Sequence, residues 1–163
     1  MKIGIDVQTT QGQKTGFGFY VENLVKELKS IDRKNKYFYF APKTEADFSM
    51  PKRFLWDQIS IPLSAYKNRV DIFHQPCFSL PLIFRGKVIA TIHDLIAIKF
   101  PRDIPFFSRQ FFSRWMPFSY RKADHVICTS LHTKQDLIAI AKIPANKISV
   151  IPLAANDNFK PAR

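Results

Sequence analysis

The sequence predicts an α/β domain with a doubly wound, mostly parallel sheet. Short runs rich in β-branched and aromatic residues recur along the chain, and segments with helical periodicity lie between most of them. Strands that alternate with helices in this way favour a parallel sheet flanked by helices. The chain has 163 residues and a 46% apolar fraction, which suit one domain with its own hydrophobic core.

Six segments are predicted as strands, and each is short and rich in apolar side chains. They are residues 2–7, 37–40, 70–74, 88–92, 125–128 and 147–151.

The helices are predicted from spacing and from capping residues. After the first strand, Val21, Leu24, Val25 and Leu28 recur at i, i+3, i+4 and i+7, the pattern of an amphipathic helix. The remaining segments are predicted as follows: residues 43–52 form a surface loop, 54–66 a short helix interrupted or terminated near Pro62, and 130–141 a helix with Ser130 as its N-cap.

The strand predicted at 88–92 ends at two polar, titratable residues, His93 and Asp94. In open α/β sheets, the carboxyl ends of the strands face the ligand crevice. The strand predicted at 70–74 also ends in polar groups, at His74 and Gln75. Two interpretations of His93 and Asp94 stay open at this point: they carry chemistry at the rim of a crevice, or they cap the segment that follows.

A glycine loop, Thr15-Gly16-Phe17-Gly18, lies between the first strand and the first helix. In this position, backbone N–H groups at the helix N-terminus can bind a phosphate. The dinucleotide fingerprint G-x-G-x-x-G is not met, because Val21 occupies its third glycine position, and no Walker A sequence occurs here. A bare G-x-G more often marks only a tight turn.

Residues 103–118 form a basic, aromatic stretch. Phe107, Phe111, Trp115 and Phe118 fall at helical spacing, with arginines between them. Two interpretations are open: an aromatic stripe that faces the core, or an amphipathic helix that docks on anionic lipid.

The charge balance is strongly basic, since 25 Lys and Arg against 13 Asp and Glu give 25 − 13 = +12. Such an excess fits a polyanion, an anionic membrane surface or a phosphorylated small molecule, and it informs about partners rather than fold. Nucleic acid is the less favoured partner, because the chain has no RNP-type aromatic motif, helix-turn-helix pattern or zinc-knuckle spacing.

Cysteine and histidine spacing predicts neither a disulfide framework nor a metal site. Cys77 and Cys128 both lie in apolar surroundings and are expected to be buried free thiols in a reducing compartment. His74 and Cys77 alone supply too few ligands for a metal. No apolar stretch approaches the ~20 residues that span a bilayer, and the N-terminal segment lacks the apolar core of a signal peptide. We therefore expect a cytoplasmic protein that docks, if at all, on the inner face of the membrane.

Several stretches resemble, in order, the N-terminal half of the GT-B-fold glycosyltransferases of family four, also called group 1. The most specific is the T-I-H-D-L segment followed shortly by F-P. The matching stretches are MKIGID, TGFGFYVENLVKEL, DIFHQP, VIATIHDLIAIKFP, ADHVICTS and NKISVIPLAANDNFKP.

The resemblance implies a retaining, metal-independent enzyme with two Rossmann-like domains and an active site between them. Residues 1–152 would be the domain on the acceptor side and 153–163 the start of the interdomain linker, while the domain that binds the nucleotide-sugar donor is absent. We expect no cofactor apart from that co-substrate, and an acceptor that is a glycan, lipid-linked or phosphorylated. The isolated chain is expected to be inactive.

The resemblance also implies roles for individual residues. Gly16, Phe17 and Gly18 would form the loop that approaches the donor phosphates. His93 would lie beside the transferred sugar and the acceptor, with Asp94 as its catalytic neighbour. The residues expected on the acceptor side of the cleft are Thr15, His74, Gln75 and Ser130.

Two other function classes compete with this one. A basic α/β module that binds nucleic acid accounts for the charge, because phosphate contacts supply most of the non-specific affinity. A dinucleotide-dependent oxidoreductase fits poorly, because the third glycine of its fingerprint is missing.

Overall fold

Six parallel strands form one sheet in the computed structural model, which describes residues 1–43 and 48–155. This confirms the predicted fold class. The strands are β1 (Lys2–Asp6), β2 (Lys36–Phe40), β3 (Ile72–Gln75), β4 (Lys87–Ile92), β5 (His125–Cys128) and β6 (Ile148–Val150).

The helices of the described residues connect these strands. They are α1 (Gly16–Ile31), α2 (Met50–Leu55), α3 (Ile61–Lys67), α4 (Ile96–Lys99), α5 (Phe106–Gln110), α6 (Met116–Tyr120) and α7 (Leu131–Ala139).

The strand order is β2-β1-β3-β4-β5-β6, and every neighbouring pair is parallel. The chain goes outward from β1 to β2, then crosses back over β1 to β3 and continues in the opposite direction. The direction of winding therefore reverses between β1 and β3. Ligand crevices of open α/β sheets form at such a switch point, outside the carboxyl ends of the strands.

The core lies against the sheet in two clusters. The smaller one lies under α1 and includes Ile5, Val7, Val21 and Cys77. The larger one is formed by the remaining strands and the helices after β2, β4 and β5, with Phe73 and Val88 fully buried. Buried apolar residues on most strands explain why the strands were recognisable as short apolar runs.

The chain from Met50 to Lys67 is helical throughout, so the helix is longer than the predicted 54–66 and does not terminate at Pro62; the interruption near Pro62 is a π-helical turn. A π-helical turn, Trp56–Ser60, joins α2 to α3, and Pro62 lies immediately after it. Proline has no N–H to donate and its ring clashes with the carbonyl one turn earlier, and the wider turn accommodates both defects. The loop predicted at 43–52 is also too long, because helix α2 begins at Met50; residues 44–47 of that prediction lie outside the described residues.

The same arrangement occurs in the basic, aromatic stretch. A second π-helical turn, Phe111–Trp115, joins α5 to α6, and Pro117 follows it. The helical spacing was therefore correct, but the aromatic residues do not share one face. Phe111 is buried, whereas Phe107 and Phe118 are 77% and 53% exposed. The aromatic residues therefore do not form a uniform stripe that faces the core.

The remaining boundaries differ from the predictions by a few residues. β3 begins at Ile72 rather than residue 70, and β6 is limited to Ile148–Val150. The prediction that Ser130 caps the following helix is confirmed, since its Oγ accepts a hydrogen bond from the Thr133 N–H at 3.0 Å.

Candidate functional site

A cavity of about 660 Å³ lies beyond the carboxyl ends of β1, β3 and β4, beside the switch point of the sheet. Its volume is in the range of small-molecule sites. The wall combines amide, hydroxyl and imidazole groups with aromatic rings, so it can hold a polar ligand and also stack against it. The lining residues are Gln8, Thr9, Gln11, Gln13, Thr15, Gly16, Phe17, Tyr20, Phe48, Met50, Arg53, Phe78, His93, Phe112 and Leu153.

His93 follows β4 directly and lies on this wall, half-buried. Its Nε2 is 3.0 Å from the carbonyl oxygen of Pro76, and because a carbonyl only accepts, Nε2 must carry the proton. Burial lowers the pKa of His93, although the Pro76 carbonyl and Asp94 oppose this. The imidazole is therefore neutral at pH 7, and its Nδ1 lone pair can accept a hydrogen bond from a hydroxyl group.

Two aromatic rings of α1 hold the imidazole in place. The Phe17 ring lies 4.9 Å from the His93 ring, and the Tyr20 ring contacts it edge-on at 4.8 Å. Both distances are between ring centroids and fall in the range of favourable aromatic contacts. The contact places the glycine loop and the His93 ring on the same wall, although 70 or more residues separate them in sequence.

The two glycines of the loop have different surroundings. A Cβ added to Gly18 would lie 2.4 Å from the backbone oxygen of Thr9, so Gly18 permits close packing of α1 on the turn after β1. A Cβ added to Gly16 would meet no atom within 4 Å. Gly16 is therefore the glycine next to open space on the cavity wall, and the N–H groups of the first helical turn are near it.

A hydroxyl network lies behind His93. The Thr91 Oγ1 is 3.2 Å from the Tyr20 hydroxyl and 2.8 Å from Nε2 of His74. Burial, and to a lesser degree the neighbouring His93, lowers the pKa of His74 to about 4, so this imidazole is neutral. His74 is held inside the fold and does not line the cavity, in contrast to its predicted place on the cleft wall.

The fold places the other predicted site residues in different environments. Thr15 lines the cavity, but Gln75 is buried and donates from Nε2 to the Ser79 carbonyl at 3.2 Å. Ser130 caps α7 and is not part of the cavity wall. Asp94 accepts a hydrogen bond from the Ile96 N–H at 3.0 Å, so the capping interpretation holds for Asp94. Its side chain is exposed and lies outside the main cavity.

Sequence reasoning missed a buried ion cluster beneath the cavity. The Arg53 guanidinium donates to Asp6 and Gln8 and lies 2.9 Å from Asp57, while the ring of Phe78 covers it at 4.0 Å. Arg53 is 1% exposed, and the chain around it reads as an ordinary surface segment. The available indication was Asp6, an acidic residue at the carboxyl end of the first buried strand.

The cluster has two carboxylates for one guanidinium, which makes the second carboxylate difficult to ionise. Burial raises the pKa of Asp57 to about 7 against the attraction of Arg53. Ser79 donates to Asp57 at 2.6 Å. These contacts hold α2 and the π-helical turn against β1, which fixes the floor of the cavity.

Neither a metal cluster nor a membrane span is found in residues 1–43 and 48–155. No group of three or more His, Cys, Asp or Glu side chains there could hold a metal ion. Within the same residues, every helix is too short or too polar to cross a bilayer.

Comparison with known proteins supports the fold. A solved UDP-GlcNAc 2-epimerase from Methanocaldococcus jannaschii superposes with a TM-score of 0.61 at 12% identity, over 92% of this chain and 45% of the epimerase. At that identity the likeness shows the fold alone, and this chain spans less than half of the epimerase. No curated protein matches the chain in sequence. The family model described as Glycosyltransferase Family 4 matches residues 15–159, which is most of the chain. The chain therefore belongs to Glycosyltransferase Family 4.

Proposed function

We propose that this chain is the acceptor-side domain of a retaining, metal-independent glycosyltransferase. The enzyme would move a sugar from a nucleotide-sugar to a glycan, lipid-linked or phosphorylated acceptor. The family assignment supports sugar transfer in general. The observation that carries the proposal is the ring contact of His93 with Phe17, which brings a neutral imidazole and the N-terminus of α1 to one cavity.

The two sides of the cavity suit the two partners in sugar transfer. When the sugar–phosphate bond breaks, negative charge develops on the leaving phosphate. Backbone N–H groups at Gly16 and Phe17, in a first helical turn without acidic residues, would stabilise that charge. His93, protonated at Nε2, would accept a hydroxyl hydrogen bond at Nδ1 and orient the sugar or the acceptor. In this proposal His93 touches the reacting partners, and Asp94 contributes only by placing the backbone after β4.

We propose that a second domain, not contained in this sequence, supplies most of the donor site. Residues 1–152 would then form one wall of the active site, and 153–163 the start of a linker. Leu153 already lines the edge of the cavity, which is consistent with a linker that leaves from this side. The isolated chain would bind acceptor weakly and transfer no sugar.

The exposed aromatic residues support a membrane-facing surface. We define the aromatic ridge as the exposed Phe54, Leu55, Ile59, Leu63 and Phe118 together with the half-buried Trp115, on the helices of residues 50–67 and 106–120. The ring of Trp115 lies 4.9 Å from the Phe54 ring and 5.8 Å from the Phe118 ring between centroids, so aromatic rings of the two helices are in contact.

The segments that carry this ridge are rich in basic residues and poor in acidic ones. In residues 48–69 and 104–122 the one acidic residue is the buried Asp57, whereas exposed basic residues occur in both segments. They include Lys52, Lys67, Arg114, Arg121 and Lys122. Apolar rings flanked by cations suit an anionic bilayer. We therefore propose that the enzyme works on the cytoplasmic face of a membrane, with the ridge in the lipid interface.

The proposed function can be tested in the enzyme that contains both domains. Radiolabelled UDP- and GDP-hexoses would be incubated with candidate lipid and glycan acceptors, with and without EDTA. We expect transfer to one acceptor class, unaffected by EDTA, with the anomeric configuration retained. Loss of transfer in EDTA would contradict metal independence, and an inverted product would contradict the retaining mechanism.

A further inference from the structure

A second cavity of about 350 Å³ lies beside the main one. We call it the side chamber. Phe17, Phe78, His93 and Phe112 line both cavities, so they form the boundary between them. The position of His93 at this boundary means that a molecule in contact with the imidazole could extend a substituent into the side chamber.

The side chamber is built mainly from apolar side chains. Most of them come from the end of β4, from α4 and from the helix of residues 106–120; they include Ile92, Leu95, Ile98, Ile104, Phe112 and Met116. Asp94 also lines it, but its carboxylate is engaged by the Ile96 N–H. Water in such a chamber makes few hydrogen bonds, and its replacement by hydrocarbon is favourable.

Tyr120 supplies one polar group to this chamber. The residue is 3% exposed and lines the chamber. Burial raises the pKa of Tyr120 well above its usual value, so the hydroxyl is neutral. A neutral phenol hydroxyl can donate a hydrogen bond to a polar atom of a ligand or accept one from it.

We propose that the side chamber binds an apolar alkyl or aryl group of the acceptor, attached close to the hydroxyl that His93 orients. The inference rests on the proposed function, because that function places the acceptor at His93. At the volume of about 30 Å³ that a water molecule occupies, the chamber holds on the order of ten non-hydrogen atoms. A longer lipid chain would have to leave the chamber and continue outside the protein.

The test uses this 163-residue chain and two probes that differ only in their apolar part. These are n-octyl β-D-glucopyranoside, kept below its critical micelle concentration, and methyl β-D-glucopyranoside. We expect the octyl glucoside to bind at least tenfold more tightly by NMR titration. Intermolecular NOEs should connect its methylene protons to the methyl groups of Ile98, Ile104 or Met116. Equal binding of the two probes, or NOEs to Leu55, Ile59 and Leu63 of the aromatic ridge instead, would overturn the proposal.

Two substitutions test whether the side chamber causes the preference for the octyl probe. Ala97→Phe places a ring at the chamber wall and should reduce the preference for the octyl probe to less than threefold. Ala139→Phe, an equal substitution at an exposed position of α7, should leave the preference unchanged. Should Ala97→Phe fail to fold, the NOEs of the wild-type chain decide the question alone. An unaltered preference in a folded Ala97→Phe variant would contradict the proposal.

The binding test of the side chamber and the transfer test of the proposed function can fail independently. Binding of the octyl group is measured on this chain without any sugar transfer. A two-domain enzyme that showed no transfer would contradict the proposed function while leaving the NOEs intact. Observed transfer together with equal binding of the two glucosides would refute the side chamber alone.

Discussion

The Nε2 atom of His93 and the carbonyl oxygen of Pro76 lie 3.0 Å apart and join the segments that follow β4 and β3. The hydrogen bond fixes the imidazole tautomer, because the carbonyl oxygen can only accept. It therefore determines that Nδ1 is the nitrogen available to a ligand. A half-buried, neutral acceptor at this position is the chemical feature on which the proposed role of His93 depends.

Replacement of His93 by alanine should slow sugar transfer in the two-domain enzyme by roughly 5- to 150-fold, the effect of losing a hydrogen bond of about 1–3 kcal/mol. The measurement is kcat/KM for the acceptor. His132→Ala is the matched control, because His132 is exposed on α7 and contacts Lys99 rather than the cavity. Equal activity of the His93→Ala and wild-type enzymes would remove His93 from the mechanism.

Substitution of the two loop glycines by alanine should affect the stability of the fold to different extents. Gly18→Ala forces a Cβ against the Thr9 carbonyl and should lower the free energy of unfolding by about 1–3 kcal/mol. Gly16→Ala meets no neighbour and should change stability by less than about 1 kcal/mol, although it alters the cavity wall. Urea unfolding of both variants checks this. Similar stability of the two would show that α1 does not need the close approach.

Removal of the Arg53 guanidinium should be strongly destabilising. Arg53→Met leaves Asp6 and Asp57 buried without their cation, and we expect a loss of about 3–5 kcal/mol in the free energy of unfolding. Lys87→Met is the control, because the ion pair of Lys87 with Asp124 is exposed and should contribute under about 1 kcal/mol. Denaturant unfolding at pH 7 distinguishes the two. A loss for Arg53→Met no larger than for the control would contradict the ion cluster.

His74 should make the fold less stable in acid. Its pKa is lowered to about 4 in the folded chain, against about 6.5 in the unfolded chain. The unfolded state therefore binds the proton first, and stability is lost as the pH falls from about 6.5 towards 4. Between pH 7.5 and 5 the wild-type chain should lose roughly 2 kcal/mol more than His74→Gln. Parallel pH dependence of the two chains would show that His74 is not held neutral.

The aromatic ridge should confer binding to anionic vesicles. Phe118→Ser should weaken the binding of the chain to vesicles of phosphatidylglycerol and phosphatidylcholine, and Arg114→Ser should weaken it roughly fivefold, from about 1 kcal/mol per basic residue. Phe19→Ser is the control, because Phe19 is 55% exposed on α1, outside the ridge. Co-sedimentation measures the binding. Retention on single-stranded DNA without binding to these vesicles would favour the nucleic-acid alternative instead.

Much of the fold could be predicted from the sequence because its strands are buried and short. Residues 125–128 and 88–92 form strands close to the predicted bounds, since buried strands of a parallel sheet are apolar along most of their length. The two π-helical turns before Pro62 and Pro117 were not predictable. A proline indicates a break in the helix, and only the surrounding packing decides whether the helix ends or widens by one turn.

The sequence by itself determined the fold class, the glycine loop after β1 and the polar residues that end β3 and β4. These features are local, because strand periodicity and turn chemistry depend on neighbouring residues. The tertiary structure alone decided which polar residues reach the cavity: His93 lies on its wall, whereas His74 and Gln75 are buried behind it. It also decided that Arg53 is enclosed by Asp6 and Asp57. Burial and charge pairing depend on which distant segments the sheet brings together, and no local pattern specifies that.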